Sequence, residues 1–380
     1  MRLLFLNHNV AFRGTFFRAQ QLGREMVRRG HQVTLVTTSR RARWRGEWRE
    51  IDGVRVFEAP DVLVGPGRSG WDPRNALTRI RALRERSFDL VHGFDSRPVV
   101  IGPALTIRRR LAIPLVLDWA DWWGRGGRIE ERSGRLVRSL VEPVETWFEE
   151  GFRGRADAST VICTALERRL RDLGVNVTSI TRAPNGSDLD GIPVMSRVAA
   201  RRALDVPAGI RVVLHVGVLT RQDEELLLEA FARARARRGD IRLVLVGSRR
   251  RVRAAGVVAP GFVGFEALRL WLGAADLCVI PLRDTVGNRG RWPGKMNDYL
   301  AAGRPTLMTK VGDAPSYLER GGAGWAVEPN AEAFGEALLA RLEDPSALEE
   351  AGTRARELAE GELSWSRIGD RIERAYEAVA

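Results

Sequence analysis

Lys295 and Asp298 stand three residues apart just after Pro293, and Arg289 and Arg291 lie in the loop immediately before it. Proline often opens a helix, and residues three apart share a helix face. A cation in such a first turn adds to the field of the helix N-terminus, and the two together suit a phosphate. A carboxylate on the same face can accept both hydroxyls of a ribose, as acidic residues do in dinucleotide-binding folds. Arg221 follows the Gly217 turn at another strand-to-helix crossing and offers a further cation. The plain alternative for each of these residues is a solvated surface charge.

A second group lies in the first half. Asp118-Trp-Ala-Asp121-Trp-Trp123 closes an apolar run, and the end of a strand is where a substrate-contacting acid or base belongs; the alternative is an Asp that caps the next helix. His8 follows the first apolar run and is the histidine candidate for an active site. His92 and His215 end two other runs, and His31 is read as holding a helix-to-strand turn. Gly14 precedes the first helix, where the lack of a Cβ would let backbone approach a phosphate or sugar, unless it is an ordinary turn glycine. No Ser-His-Asp or Cys-His set occurs in a known order.

The elements that must position these residues alternate along the chain. Leu3–Leu6, Val33–Thr37, Val54–Phe57, Leu90–His92, Leu115–Asp118, Ser159–Cys163 and Thr178–Thr181 read as strands. Between them Phe17–Arg29, Asn75–Glu85, Val99–Arg109, Gly134–Gly154 and Thr164–Leu173 have helical spacing. That alternation predicts βαβ units and a mainly parallel sheet. Asn185-Gly-Ser-Asp-Leu-Asp-Gly-Ile-Pro193 is rich in turn formers, and the inter-domain linker is placed there. The pattern then restarts. Val212–Val216, Ile241–Val246, Leu277–Pro281, Thr306–Thr309 and Trp325–Val327 read as strands, and Glu224–Arg238, Glu266–Gly273 and Pro293–Ala302 as helices, with helical residues from about 331 to the end. The expected division is a doubly wound α/β domain over residues 1–184 and another over 198–364, with an amphipathic last helix, about 365–380, packing back on the first. Two such domains would face each other across a cleft at the C-terminal ends of both sheets, where a nucleotide-like ligand belongs.

Composition narrows the classes. At 380 residues two domains are expected, and a hydrophobic fraction of 44% fits a globular chain. No apolar run is long enough for a membrane span, and Arg2–Leu6 is too short for a signal-peptide core, so the expected location is cytoplasmic. Cys163 and Cys278 sit in apolar strand patterns as small core residues. The net charge is +13; the positive charge is almost all arginine, with lysine only at 295 and 310, and it is scattered over every helix without a nucleic-acid-binding motif. It favours anionic small partners over nucleic acid.

Several segments resemble the retaining GT-B glycosyltransferases of family 4, the glycosyl transferases group 1, and the resemblance covers nearly the whole chain. Arg13-Gly-Thr-Phe-Phe-Arg18 and Arg28-Arg-Gly-His-Gln-Val33 look like the family's glycine loop and GHxV turn. Asp89-Leu-Val-His92 resembles its DVVH strand end, and Pro184-Asn-Gly-Ser-Asp188 its PNGxD junction. His215-Val-Gly217 with Leu226-Leu-Leu-Glu-Ala-Phe231, then Leu245-Val-Gly247, Gly261-Phe-Val-Gly264 and Leu268–Pro281, follow the second-domain pattern. Trp292-Pro-Gly-Lys-Met-Asn-Asp-Tyr-Leu-Ala-Ala-Gly-Arg-Pro305 looks like the P-x-K-x-x-E-Y-x-A-x-G-x-P donor-site helix.

The resemblance implies transfer of a sugar from a nucleotide-sugar donor to a carbohydrate or lipid-linked acceptor. It implies retention by front-face attack, and no cofactor beyond the donor itself. Gly14, Arg221, Lys295, Arg289 and Arg291 would meet the donor phosphates; Asp298, Gly217, Gly247 and Val263 would meet ribose and base. Asp118, Asp121 and His8 would serve the transferred sugar, its oxocarbenium-like centre or the acceptor. The spacing of Asp118 and Asp121 does not suit the Asp-x-Asp metal clamp of the other large glycosyltransferase fold, so no metal is expected. The chain departs from the family at two points. Gly290 stands where the first of two glutamates belongs, and the lysine usual after the G-x-L turn is missing, with Arg221 the nearest cation. A non-catalytic nucleotide-sugar-binding protein and a GT-B nucleotide-sugar epimerase are the alternatives.

Two further expectations concern motion and membranes. Domains joined near residues 184–197 would hinge on donor binding. Trp122, Trp123, Trp147, Phe148 and Phe152, beside Arg125, Arg128, Arg132, Arg135 and Arg138, suit an anionic bilayer or a lipid-linked acceptor; a core-packed helix with a solvated face is the alternative.

Overall fold

The structure is a computed structural model and describes residues 1–63, 70–131, 134–176, 179–250 and 252–380. The chain forms two compact units, one of Met1–Asn185 with Trp365–Ala380 and one of Gly186–Ser364.

The first unit is built on an eight-stranded sheet in the order β3-β4-β2-β1-β5-β6-β7-β8. In chain order its elements are β1 (Arg2–Val10), α1 (Phe16–Arg28), β2 (Gln32–Thr38), β3 (Glu47–Ile51), β4 (Val54–Ala59), α2 (Pro73–Leu83), β5 (Leu90–Phe94) and α3 (Pro98–Leu111). They continue with β6 (Leu115–Trp119), α4 (Arg135–Glu150), β7 (Ala158–Val161), α5 (Thr164–Asp172) and β8 (Ile180–Arg182). All pairings are parallel except β3 with β4. The central strand β1 shows why a fully apolar run forms a strand here. Side chains alternate between the faces of a sheet, and Leu3 and Phe5 join one core with α1 while Leu4 and Leu6 join the other with α3. A parallel sheet covered on both faces needs apolar residues at every position.

The second unit carries α6 (Arg197–Ala203), β9 (Arg211–Val216), α7 (Arg221–Arg237), β10 (Ile241–Val246), β11 (Val257–Gly261), α8 (Phe265–Ala274) and β12 (Leu277–Ile280). Then come α9 (Val286–Arg289), α10 (Gly294–Ala301), β13 (Thr306–Thr309), α11 (Ala314–Arg320), β14 (Gly324–Val327), α12 (Ala331–Leu342) and α13 (Pro345–Glu360). Its six strands are all parallel, in the order β11-β10-β9-β12-β13-β14. The last helix, α14 (Trp365–Glu377), returns to the first unit. Trp365, Ile368, Ile372 and Tyr376 repeat at helical spacing and join the core of Leu3 and Phe5. Burying Ile368 and Ile372 contributes roughly 1.5–3 kcal/mol each. Tyr376 Oη also lies 2.6 Å from His92 Nδ1.

In each sheet the strand order reverses once, between β1 and β5 and between β9 and β12. Such switch points open a crevice outside the carboxyl ends of the strands. Two strands were not expected from the sequence, β3 and β11. Their residues, Glu-Trp-Arg-Glu-Ile and Val-Val-Ala-Pro-Gly, are edge strands without apolar alternation. Thr178, the first residue expected in the seventh strand, lies outside the described residues.

Candidate functional site

In the second unit, β9 ends at Val216 and the chain turns at Gly217, which has φ +96. Gly247 (φ +85) and Gly261 (φ +76) mark the same ends of β10 and β11. Gly217 N donates to Val246 O at 2.8 Å and Gly247 N to Gly261 O at 2.7 Å, so bare backbone runs from turn to turn. Beside them a cavity of about 210 Å³ is lined by His215, Gly217, Glu224, Ser248, Arg249 and Arg250, among others.

Helix α10 starts against these turns, with Pro293 in extended conformation as its N-cap and Lys295 in its first turn. Two contacts fasten it to β9: Val216 N donates to Tyr299 Oη at 2.8 Å, and Lys295 Nζ lies 3.1 Å from His215 Nε2. Burial, reinforced by the charge of Arg291, pushes the half-buried Lys295 ammonium down to about 7. Asp298, on the same face, is raised to about 7 by burial and by Asp188. Arg291 reaches to 3.7 Å from Asp223 Oδ2. The other oxygen of that buried carboxylate accepts from Arg283 N at 2.7 Å and Asn288 Nδ2 at 3.3 Å. This corner thus offers two cations, a helix N-terminus and side-chain-free backbone to one ligand, a set suited to a phosphorylated group.

In the first unit the switch point gathers His8 of β1 and Asp95, the residue after β5. His8 Nδ1 lies 3.3 Å from Asp95 Oδ2, and both side chains are buried. Asn9 Nδ2 lies 2.7 Å from His8 Nε2, and an amide nitrogen can only donate, so Nε2 carries the lone pair. Burial, then Arg97, holds His8 well below its ordinary range, as a neutral ring. Asp95 adopts φ +70, uncommon for a residue with a side chain. Burial raises it to about 8, opposed by Arg153 and Arg97. Arg153 Nη2 stands 3.8 Å from Asp95 Oδ1. Glu149, raised to about 7 by burial, accepts from Trp119 Nε1, Trp123 N and Gly124 N at 3.0, 2.7 and 2.5 Å. Gly14 (φ +53) closes the loop before α1; a Cβ there would meet Asn9 Oδ1 at 2.0 Å, the atom that accepts from Thr15 N.

The structure thus brings Lys295, Arg291, Asp298, Gly217 and Gly247 into one corner, and it relocates others. Asp118 is not at an open strand end. It lies inside β6, fully buried, where Arg18 of α1 donates to both its oxygens at 2.9 and 2.8 Å and Thr160 Oγ1 at 2.5 Å. Burial alone would raise this acid, but the charge and hydrogen bonds of Arg18 outweigh it and hold it low. The reason is sequence-remote: an arginine in α1 is long enough to meet it below the surface. Asp121, in the next loop, is partly exposed with Arg128 Nη1 3.8 Å from it. Arg289 is not in a loop but ends the short α9, and it is forked on Asp284 at 2.5 and 2.6 Å. Arg221 opens α7 with a side chain 76% exposed and paired to Glu225. Val263 stands in the loop between β11 and α8.

Sequence reasoning missed Asp95, Glu149, Arg153 and Asp223. Glu149, Arg153 and Asp223 each stand in a stretch of many charges, Asp95 follows a strand as an ordinary turn acid would, and only the packing shows them buried.

The aromatic stretch divides as well. Phe148 and Phe152 pack against the first unit's core, while Trp147 is 57% exposed. Leu136, Leu140 and Val144 of α4 are exposed with it at 76%, 70% and 48%. Arg132 lies outside the described residues. No helix among the described residues is long and apolar enough to cross a membrane.

Residues 14–186 match the family described as glycosyl transferase 4-like domain, and residues 210–344 match glycosyl transferases group 1. The chain belongs to this glycosyltransferase family and is a glycosyltransferase. Its fold is that of solved GT-B structures. Sucrose-phosphate synthase from Thermosynechococcus elongatus aligns with TM-score 0.76 and 18% identity over 100% of this chain and 99% of its own. HepE from Anabaena, solved with UDP and glucose, aligns with TM-score 0.71 and 15% identity over 100% of both chains. WaaG, a glycosyltransferase involved in lipopolysaccharide biosynthesis, aligns with TM-score 0.71 and 18% identity over 100% of this chain and 99% of its own. No curated protein matches the sequence significantly.

Proposed function

We propose that the protein transfers a sugar, with retention, from a nucleoside-diphosphate sugar bound in its second unit to a carbohydrate or lipid-linked acceptor. The observation that carries this is the position of Lys295, a cation in the first turn of α10 beside the backbone turn at Gly217. As the bond from the sugar's anomeric carbon to the β-phosphate oxygen breaks, the electron pair passes to that oxygen. Lys295, Arg291 and the helix N-terminus stabilise the growing charge. The acceptor oxygen bonds to the same face of the carbon and its proton passes to the departing phosphate. In this reading protein cations do the work a divalent metal does elsewhere. HepE, solved with UDP-glucose, favours uridine as the base.

In the first unit, Asp121 is proposed to meet the acceptor, and the exposed face of α4 to touch an anionic membrane surface that presents it. The test is release of nucleoside diphosphate from a panel of UDP-, GDP- and ADP-sugars with and without EDTA, with the product anomer read by NMR. Release from none of them overturns the transferase reading. Loss of activity with EDTA overturns metal independence, and an inverted anomer overturns retention.

A further inference from the structure

His215 is an imidazole in an otherwise aliphatic strand end, Arg211-Val-Val-Leu-His-Val216, and it is 1% exposed. Its two nitrogens have different partners. Nδ1 lies 2.9 Å from Val279 O, and a carbonyl can only accept, so Nδ1 carries the ring proton. Nε2 is then a lone pair, and the Lys295 ammonium 3.1 Å away is its donor. Burial, with the charge of Lys295 second, keeps the ring neutral, so the lone pair stays available. β12, through Val279, therefore fixes the tautomer that lets β9 hold the first turn of α10.

Resting on the donor site proposed above, we propose that His215 is a positioning residue for the donor: it holds Lys295 against the end of β9 and shares it with the diphosphate when the donor enters, so that donor binding draws a proton onto Lys295. The groups around that ammonium set the direction. Arg291 repels it from the loop before α10, while Asp223 of α7 and Asp298 of α10 attract it. Asp188 stands behind Asp298, and Glu224, Arg249 and Arg250 rim the neighbouring cavity. Without a diphosphate beside it burial outweighs the two carboxylates, and Lys295, pushed down to about 7, is near half-protonated at neutral pH. A diphosphate brings at least two negative charges beside it and favours the charged form. Affinity is then greatest at low pH and falls as pH rises above 7, the sense required when the bound state holds the extra proton.

The experiment is calorimetric titration with UDP, GDP and ADP at pH 7.5, in buffers of different ionisation heat. That pH is above the titration of a terminal phosphate near ~6. Wild type is expected to take up about half a proton or more per nucleotide. Lys295→Arg, charged at every accessible pH, is expected to take up almost none. His215→Phe should raise KM for the donor roughly tenfold with a smaller change in kcat, and His215→Gln, which restores an acceptor, should recover part of it. Binding without proton uptake overturns the inference and leaves the donor site standing. Uptake that persists in Lys295→Arg assigns the proton to Asp298 and overturns it too, as does an unchanged KM in His215→Phe. If none of the three nucleotides binds, the donor site itself is wrong and the inference falls with it.

Discussion

Gly247 and Gly217 have their backbones in direct contact: a Cβ on Gly247 would lie 3.2 Å from Gly217 Cα and 3.3 Å from its nitrogen. Neither neighbour is a flexible side chain that could move aside. Gly247→Ala also forces a side chain into φ +85. We expect it to cost about 1–3 kcal/mol of stability and to raise KM for the donor by displacing the Gly217 turn. Urea unfolding and donor kinetics measure the two effects. An alanine variant with wild-type KM would separate these turns from the donor.

Lys295→Ala is expected to lower kcat/KM for the donor by roughly 2–4 kcal/mol, the scale of losing one charge-stabilising donor in a transition state. Lys295→Arg should recover only part, because a planar fork replaces a compact charge. Lys310, half exposed and 3.9 Å from Glu328, is the internal comparison and should cost much less on truncation. Near-normal activity in Lys295→Ala would move the phosphate site to Arg291 and Arg221.

Asp95 gives a pH dependence of stability. Its titration is raised by burial from 3.8 to about 8. Its contribution is therefore fully present below about 4 and is lost as pH rises through about 8, since the folded state holds a proton that the unfolded state releases. Asp95→Asn, neutral at every pH, should flatten the fall in melting temperature of the wild type between about pH 5 and pH 9. Equal slopes in both proteins would place the titrating proton elsewhere, with Glu149 the next group to substitute.

The face of α4 that carries Leu136, Leu140, Val144 and Trp147 should take the protein to anionic vesicles in flotation at moderate salt. Leu140→Glu should reduce recovery, because it sets a charge in the middle of the stripe. Equal recovery on neutral vesicles would remove the electrostatic part of the idea.

Much of this was legible beforehand because parallel sheets write themselves as repeated apolar runs. The alternation from Leu3 to Val327 shows two doubly wound sheets, and Pro293 shows where the helix of Lys295 begins. The edge strands β3 and β11 were not legible, since one has almost no buried face and the other contains Pro260. Nor could the sequence distinguish Asp118 from Asp121. Three residues apart, one is buried under Arg18, which is a hundred positions away in sequence, and the other is partly open. Asp95, Glu149 and Arg153 meet only because the loop after β5 lies against the end of α4, where Ser96 Oγ donates to Glu149 O at 3.2 Å; local spacing carries no trace of that.

The return of α14 bears on how the protein is made. The core around Leu3 and Phe5 is closed by Trp365, Ile368, Ile372 and Tyr376, so it waits for residues as far as Tyr376 to leave the ribosome. The second unit is continuous from Gly186 to Ser364 and is complete sooner. The half synthesised first is therefore expected to finish folding last, exposing an apolar stripe through translation. Truncations near residue 365 should be recognised by chaperones and proteases through their N-terminal half.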